Sequence, residues 1–548
     1  MNRLFFRCFL PGLFSVLVFA SCGKKEAVGL IVHNGIIYTL DSAFSQVQAF
    51  AVKDGKIVGT GSSEEMLSRF SAKEKFDCKG AVVYPGFIDA HCHFLKYAIG
   101  LERLDLVGCK SFKEVLDRLV SYVPGSTEEW IQGRGWDQNL WENKSFPVKN
   151  ALDSLFPDRP VVLTRIDGHV ALVNSKALAL AGINEKTRIS GGEIFLEKGK
   201  PTGILVDNAV DLVTSKIPQP GYETWKKVLS RAQENCFAAG LTGLAEAGLM
   251  RDEIELIEKL QSESILKIRI YAMIADSAPN FEYYLNRGPY QTERLNVRSF
   301  KFYGDGALGS RGACLIKPYN DRPGHYGFLL RSKAYYDEMG HKLAAAGFQM
   351  NTHCIGDSAV RLMTDLYGHI LGKNNDARWR IEHCQVVHPE DLKNFREFGI
   401  IPSIQPTHAT SDMEWVPARL GNERTLTSYA YKELLGAAGR VALGTDFPVE
   451  RIYPLETFYA AVFRKTTGGN PPGGFQPGNA LSREEALKGI TIWAAYANFE
   501  EKVKGSLEQG KWADFVVLDK DLMSAGEEEI LKARILYTYL NGELVYGQ

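Results

Sequence analysis

The sequence has almost no net charge, 64 Lys+Arg against 65 Asp+Glu, and no long basic stripe. Recognition of a nucleic-acid backbone needs positive charge gathered on one face, so no nucleic-acid partner is expected. A disulfide framework is missing too. Of nine cysteines, Cys8 and Cys22 lie in the first 22 residues. The other seven (Cys78, Cys92, Cys109, Cys236, Cys314, Cys354 and Cys384) are odd in number and irregular in spacing. Cys92, Cys354 and Cys384 each stand beside a histidine; on a strand neighbours face opposite ways, so buried packing is their expected role. No tandem repeat or low-complexity tract occurs. The glycine-rich run 306–312 lacks the lysine of a phosphate-binding loop and does not follow the dinucleotide fingerprint. It reads as a structural turn or a substrate loop. Ser310 lacks a nucleophile-elbow context, which disfavours a serine hydrolase.

What is present begins with a leader. Arg3 and Arg7 precede an apolar stretch over 9–20 that is too short to span a bilayer. Phe19-Ala20-Ser21-Cys22 resembles a bacterial lipobox, in which Cys22 would be lipidated and become the new N-terminus, with Gly23-Lys24-Lys25-Glu26 as a tether. An ordinary signal peptide cut near Ala20 is the alternative. Residues 1–22 are therefore read as a lipoprotein signal peptide. The expected location is the cell envelope, anchored to a bacterial membrane and facing the periplasm.

The remaining composition, 45% hydrophobic and 24% charged, is that of a globular chain. A length of 548 residues predicts one large domain with smaller satellites. Short strands are expected over 28–80, with Asn34-Gly35 and Asp54-Gly55 as hairpin turns, and again near the C-terminus around Asn541-Gly542. Between them, strand and helix signals alternate. Eight apolar runs (82–91, 243–247, 268–273, 299–303, 349–353, 380–383, 401–405 and 441–446) predict an α/β fold with a (β/α)₈ TIM barrel. A small β-sandwich domain built from both chain ends completes the architecture. The expected division is 28–80 for the first part of the sandwich, 81–475 for the barrel, and 476–548 for the last barrel helix and the rest of the sandwich. About 150 residues separate the first two runs, far beyond an ordinary connection. An insertion at about 95–235, folded over the active face, is the reading. Its Trp130, Trp136, Trp141 and Phe146 suggest an apolar or aromatic substrate group, with Trp136 as a substrate contact.

His91 and His93 end the first run two residues apart, so both imidazoles share a face. His353, His383 and Asp446 end later runs, and the C-terminal strand ends of such a barrel converge on the active site. A lone histidine would be ordinary polar packing. Four histidines and a carboxylate converging make a nitrogen–oxygen site suited to zinc or a similar divalent ion.

Pro85-Gly86-Phe87-Ile88-Asp89-Ala90-His91-Cys92-His93 resembles the signature of the amidohydrolase superfamily. Lys301-Phe302-Tyr303-Gly304-Asp305-Gly306 through Arg311, Asp167-Gly168-His169 and Gly444-Thr445-Asp446-Phe447-Pro448 resemble its branch of large metal-dependent hydrolases (amidohydrolase family 3) that includes N-substituted formamide deformylases. The similarity runs from about residue 28 to the C-terminus. It implies that His91 and His93 hold one ion with Asp446, that His353 and His383 hold a second, and that Lys301 is carboxylated and bridges two ions. A lysine snorkelling from a strand end, and a mononuclear site, stay open. It further implies metal-activated hydroxide attack on a non-peptide carbon–nitrogen bond, in an amide, N-substituted formamide or cyclic imide. Asp446 would be the catalytic proton carrier. His169 and Asp305 are read as substrate or oxyanion contacts, with a capping or turn role in their glycine-containing loops as the alternative. The alternatives are a lactone or phosphoester hydrolase on the same metals, or a lipid-anchored binding protein without turnover. The expected partners are a small-molecule substrate, the membrane through the lipid on Cys22, and a second copy in a homodimer.

Overall fold

A computed structural model describes residues 25–125 and 129–547. The leader and Cys22 lie outside the described residues.

Eight parallel strands form the barrel: β1 (Phe87–Cys92), β2 (Leu241–Leu249), β3 (Arg269–Ala275), β4 (Leu295–Tyr303), β5 (Gln349–Cys354), β6 (Arg380–His383), β7 (Ile401–Ile404) and β8 (Ala442–Leu443). Each pairs with its predecessor in parallel register. Near-continuous apolar runs suit them because both faces are covered, one by the barrel interior and one by helices. Helices alternate with the strands as expected, among them Lys333–Ala346, capped by the Ser332 side chain, and Asp357–Leu371.

Two expected boundaries shift, each at a glycine. The run 82–91 is two strands: Val82–Pro85 lies in a terminal sheet, and β1 begins after Gly86. A Cβ at Gly86 would collide with the Thr242 side chain, so only glycine lets the chain pass from one sheet to the other there. The eighth run is shorter than 441–446 because the chain leaves the ladder at Gly444 to cross over β1. The Asp446 amide then donates to the His91 carbonyl (2.8 Å), and the Thr445 amide and hydroxyl donate to Asp89. These bonds stitch the last strand to the first.

Both chain ends build two packed sheets. One contains Glu26–His33, Ala49–Lys53, Lys56–Gly61 and Phe70–Asp77; the other joins Val82–Pro85 and Ile36–Tyr38 to Phe515–Leu518 and Ile535–Leu540. Phe50 meets Phe515 edge-on at 5.1 Å across their shared core. Asp54-Gly55 and Asn541-Gly542 have positive φ at both positions, as a two-residue hairpin requires. Asn34-Gly35 does not: only Asn34 is positive, and its flanking strands lie in different sheets. That expected hairpin is a crossing between layers.

The long connection after β1 folds as a six-stranded sheet running from Leu104–Asp105 to Lys200–Asp207. It has its own apolar cores. The Arg134 guanidinium reaches across to the Pro448 carbonyl, beside Asp446, which places the insertion over the C-terminal strand ends.

Candidate metal centre

The site is assembled from strand ends. His91 faces the interior near the end of β1 and His93 follows one residue past it, with ring centroids 5.6 Å apart. Cys92 between them points outward, its thiol 3.6 Å from the Ala245 carbonyl. His383 ends β6, 4.8 Å from the His91 ring and 4.5 Å from that of His353 on β5. Donor atoms of His91, His383 and Asp446 lie within 4.8 Å of one another. His93 Nε2 is 3.3 Å from Asp446 Oδ1, and Lys301 Nζ is 3.0 Å from His91 Nε2. His383 and Asp446 adopt φ values of 77° and 61°, conformations that branched-backbone sterics make rare outside glycine and that cluster at functional sites.

Hydrogen bonds set the tautomers. His91 Nδ1 donates to Glu382 (2.5 Å), His93 Nδ1 to the Ala247 carbonyl (3.0 Å), and His383 Nδ1 to Gln405 Oε1 (2.8 Å). Each leaves a lone pair on Nε2, the form that binds metal. His408, not anticipated from the sequence, differs. Its Nδ1 accepts from the Gln385 amide (3.2 Å), so Nε2 carries the proton and faces Asp446 Oδ2 at 3.6 Å. That separation is longer than a hydrogen bond, so Nε2 is buried without a hydrogen-bond partner.

The electrostatics favour a cation. Burial pushes His93 down to about 3, and His353 and His383 well below the ordinary histidine range, so these rings are neutral. Burial pushes the Asp446 carboxyl up, but the His93, His91 and His383 imidazoles outweigh it and hold it well below the ordinary carboxylate range. Glu382 sits at about 2 because Arg380 and His91 overcome its burial. Lys301 is lowered to about 8 by burial. His353 Nε2 and Asp446 Oδ1 are buried without a hydrogen-bond partner. Orphaned polar atoms at such depth are costly, and a divalent ion bound by imidazole nitrogens and carboxylate oxygens satisfies both. The residues present fit such a group.

Three further expected residues fall differently. Asp305 is fully engaged in holding loops: its carboxylate accepts from the amides of Cys314 (2.8 Å), Ile355 (2.9 Å) and Gly356 (2.8 Å). An acceptor so used offers no oxyanion contact, which corrects the substrate role expected for it. Trp136 is 1% exposed, packs in the insertion's core and donates its indole N–H to the Leu163 carbonyl at 2.7 Å; it too is structural. His169 reaches the mouth, its ring 5.1 Å from that of His353. Glu382, Gln405 and His408 were not singled out in the sequence: the first two are polar residues at strand ends, and His408, on the helix Pro406–Asp412, carries no periodic signal.

A family model described as Amidohydrolase family matches residues 74–546. YtcJ of Bacillus subtilis (strain 168) is 31% identical over 530 residues, covering 94% of this chain and 99% of its own. An N-substituted formamide deformylase from Arthrobacter pascens is 26% identical over 547 residues, covering 94% and 98%. Among solved structures, an uncharacterized metal-dependent hydrolase from Pyrococcus horikoshii OT3 superposes with a TM-score of 0.75 at 28% identity, covering 91% of this chain and 99% of that one.

Proposed function

The chain belongs to the amidohydrolase family, and from that premise we propose that this metal-dependent hydrolase cleaves a non-peptide carbon–nitrogen bond in an amide, N-substituted formamide or cyclic imide. The observation that carries the reading is the inward-facing set of neutral imidazoles around an ionised, partly orphaned Asp446. The similarity to a formamide deformylase supports the choice of bond.

His91, His93 and Asp446 would hold one zinc or similar ion, and His353 and His383 a second, with Lys301 between them. Bound there, the metal supplies an acidified water and polarises the substrate carbonyl. Burial favours the neutral amine of Lys301, the form that takes up carbon dioxide as a carbamate. Asp446, whose pKa lies well below the ordinary carboxylate range and which is therefore ionised at neutral pH, accepts the proton of the attacking water at its carboxylate and returns it to the leaving nitrogen. Glu382 holds His91 in its ligand tautomer. The lipid on Cys22 would keep this chemistry at the envelope membrane.

The test is a chromogenic panel of amides, formamides, imides, lactones and phosphotriesters with metal-loaded protein. Turnover of carbon–nitrogen substrates is expected, with Asp446→Asn lowering it by about 10³-fold or more, as removal of a group acting in the transition state does. Turnover confined to lactones or phosphotriesters would overturn the bond assignment. Tight binding with no turnover would favour a binding protein.

A further inference from the structure

His169 is expected from the sequence to contact substrate, and the structure brings to it two features with no part in the chemistry above, the Asp207 carboxylate and the glycine-rich loop 306–312. His169 follows the insertion strand Val161–Arg165, and Asp207 ends the strand Lys200–Asp207. His169 Nδ1 lies 2.6 Å from Asp207 Oδ1, and the Asp207 amide donates to the His169 carbonyl at 2.8 Å. This double tie directs Nε2 away from Asp207. The ring lies 5.1 Å from that of His353 and 6.4 Å from that of Tyr303, and its side chain remains 16% exposed where Asp207's is fully buried.

Asp207 sits at φ 50°, ψ −125°, a backbone conformation that side-chain-bearing residues rarely adopt and that clusters at functional sites. The barrel loop is shaped around it. A Cβ at Gly306 would stand 2.5 Å from Asp207 Oδ2, and one at Gly312 would stand 2.6 Å from the same atom. The two glycines therefore form a cradle for a carboxylate contributed by the insertion. The loop's missing side chains answer to Asp207, not to a phosphate.

We propose that His169, carried by the insertion and fixed by Asp207 in this glycine cradle, contacts the substrate, its Nε2 hydrogen-bonding a polar atom of the acyl or amine portion on the His353 side of the mouth. The proposal rests on the hydrolase reading and makes the active site a composite of barrel and insertion. Specificity then depends on how the insertion is seated.

The experiment uses the full, metal-loaded chain and a substrate from the panel that the wild type turns over. His169→Gln is expected to raise KM about tenfold with kcat little changed, the signature of lost ground-state contact, and to leave bound metal and melting temperature as they were. Asp207→Asn and Gly306→Ala, which act through the ring's seating, should raise KM less. Neither should add to His169→Gln in the double variant, since residues in one network are not additive. Wild-type KM in His169→Gln would overturn the proposal and leave the hydrolase reading standing. Loss of metal from His169→Gln would overturn it by making His169 a ligand. A wild type that turns over nothing in the panel removes both readings. If Gly306→Ala fails to fold, His169→Gln and Asp207→Asn still decide.

Discussion

Glu382 shows how a residue that contacts no substrate can govern the site. Its carboxylate holds His91 Nδ1 at 2.5 Å and pairs with Arg380 at 2.8 Å, all of it buried. Partners of this kind typically contribute 10–100-fold to metal affinity. Glu382→Gln should therefore weaken zinc binding by about 10–100-fold, read by competition with a chromophoric chelator; unchanged affinity would remove the role. Glu246 belongs to the same scale. Its carboxylate accepts from the amides of Phe94 and Leu95, at the start of the helix that follows His93. Burial nonetheless raises its pKa from 4.5 to about 8. The folded state thus binds this proton more tightly than the unfolded chain, so the group's contribution is full below about pH 4.5 and is lost as pH rises to about 8. Asp305, raised by burial to about 7, acts in the same direction. Melting temperature should fall across this window, and Glu246→Gln should flatten part of that fall. An unaltered slope would count against the assignment.

At the scale of elements, barrel closure depends on the crossing of β1 by the chain after β8. A Cβ at Gly444 would lie 2.6 Å from the His91 amide nitrogen and 2.9 Å from its carbonyl oxygen. Gly444→Ala must part the two strands, costing about 1–3 kcal/mol as overpacking does. Denaturant titration should show that loss, and metal stoichiometry should drop with it because His91 and Asp446 sit on the two strands concerned. Full metal occupancy in the variant would mean that the crossing is more plastic than its contacts imply. The same element shows what apolar runs convey. All eight barrel strands were legible as runs, because their buried faces demand aliphatic residues. The break at Gly86 was not, since Val82–Pro85 and β1 are equally buried and differ in which sheet receives them. Asn34-Gly35 likewise carries a hairpin's residues without its pairing partner.

At the scale of the molecule, metal links site and stability. A ligand that binds only the folded state raises its stability by RT ln(1 + L/Kd), L being the free ligand concentration, so chelation should lower the melting temperature and re-addition restore it. A chelator-insensitive melting curve would speak against a tightly held ion. The proposed anchor predicts that Cys22→Ser moves the protein from the membrane to the soluble fraction, and an unchanged membrane fraction would remove it. The proposed homodimer predicts about twice the chain mass by light scattering of the delipidated protein; the mass of one chain would refute it.

The sequence by itself determined the barrel, the strand-end histidines and Asp446, because apolar period and strand-end position are local properties of a chain. It could not decide which polar residues face the ion and which serve the frame. Asp305 and Trp136 have the residue types of a substrate site, yet three backbone amides claim the carboxylate and the insertion's core claims the indole. His408, Glu382 and the Asp207 cradle owe their places to contacts between segments far apart in the chain. Such contacts exist only once the barrel has closed and the insertion has settled on it, so only the tertiary structure could assign them.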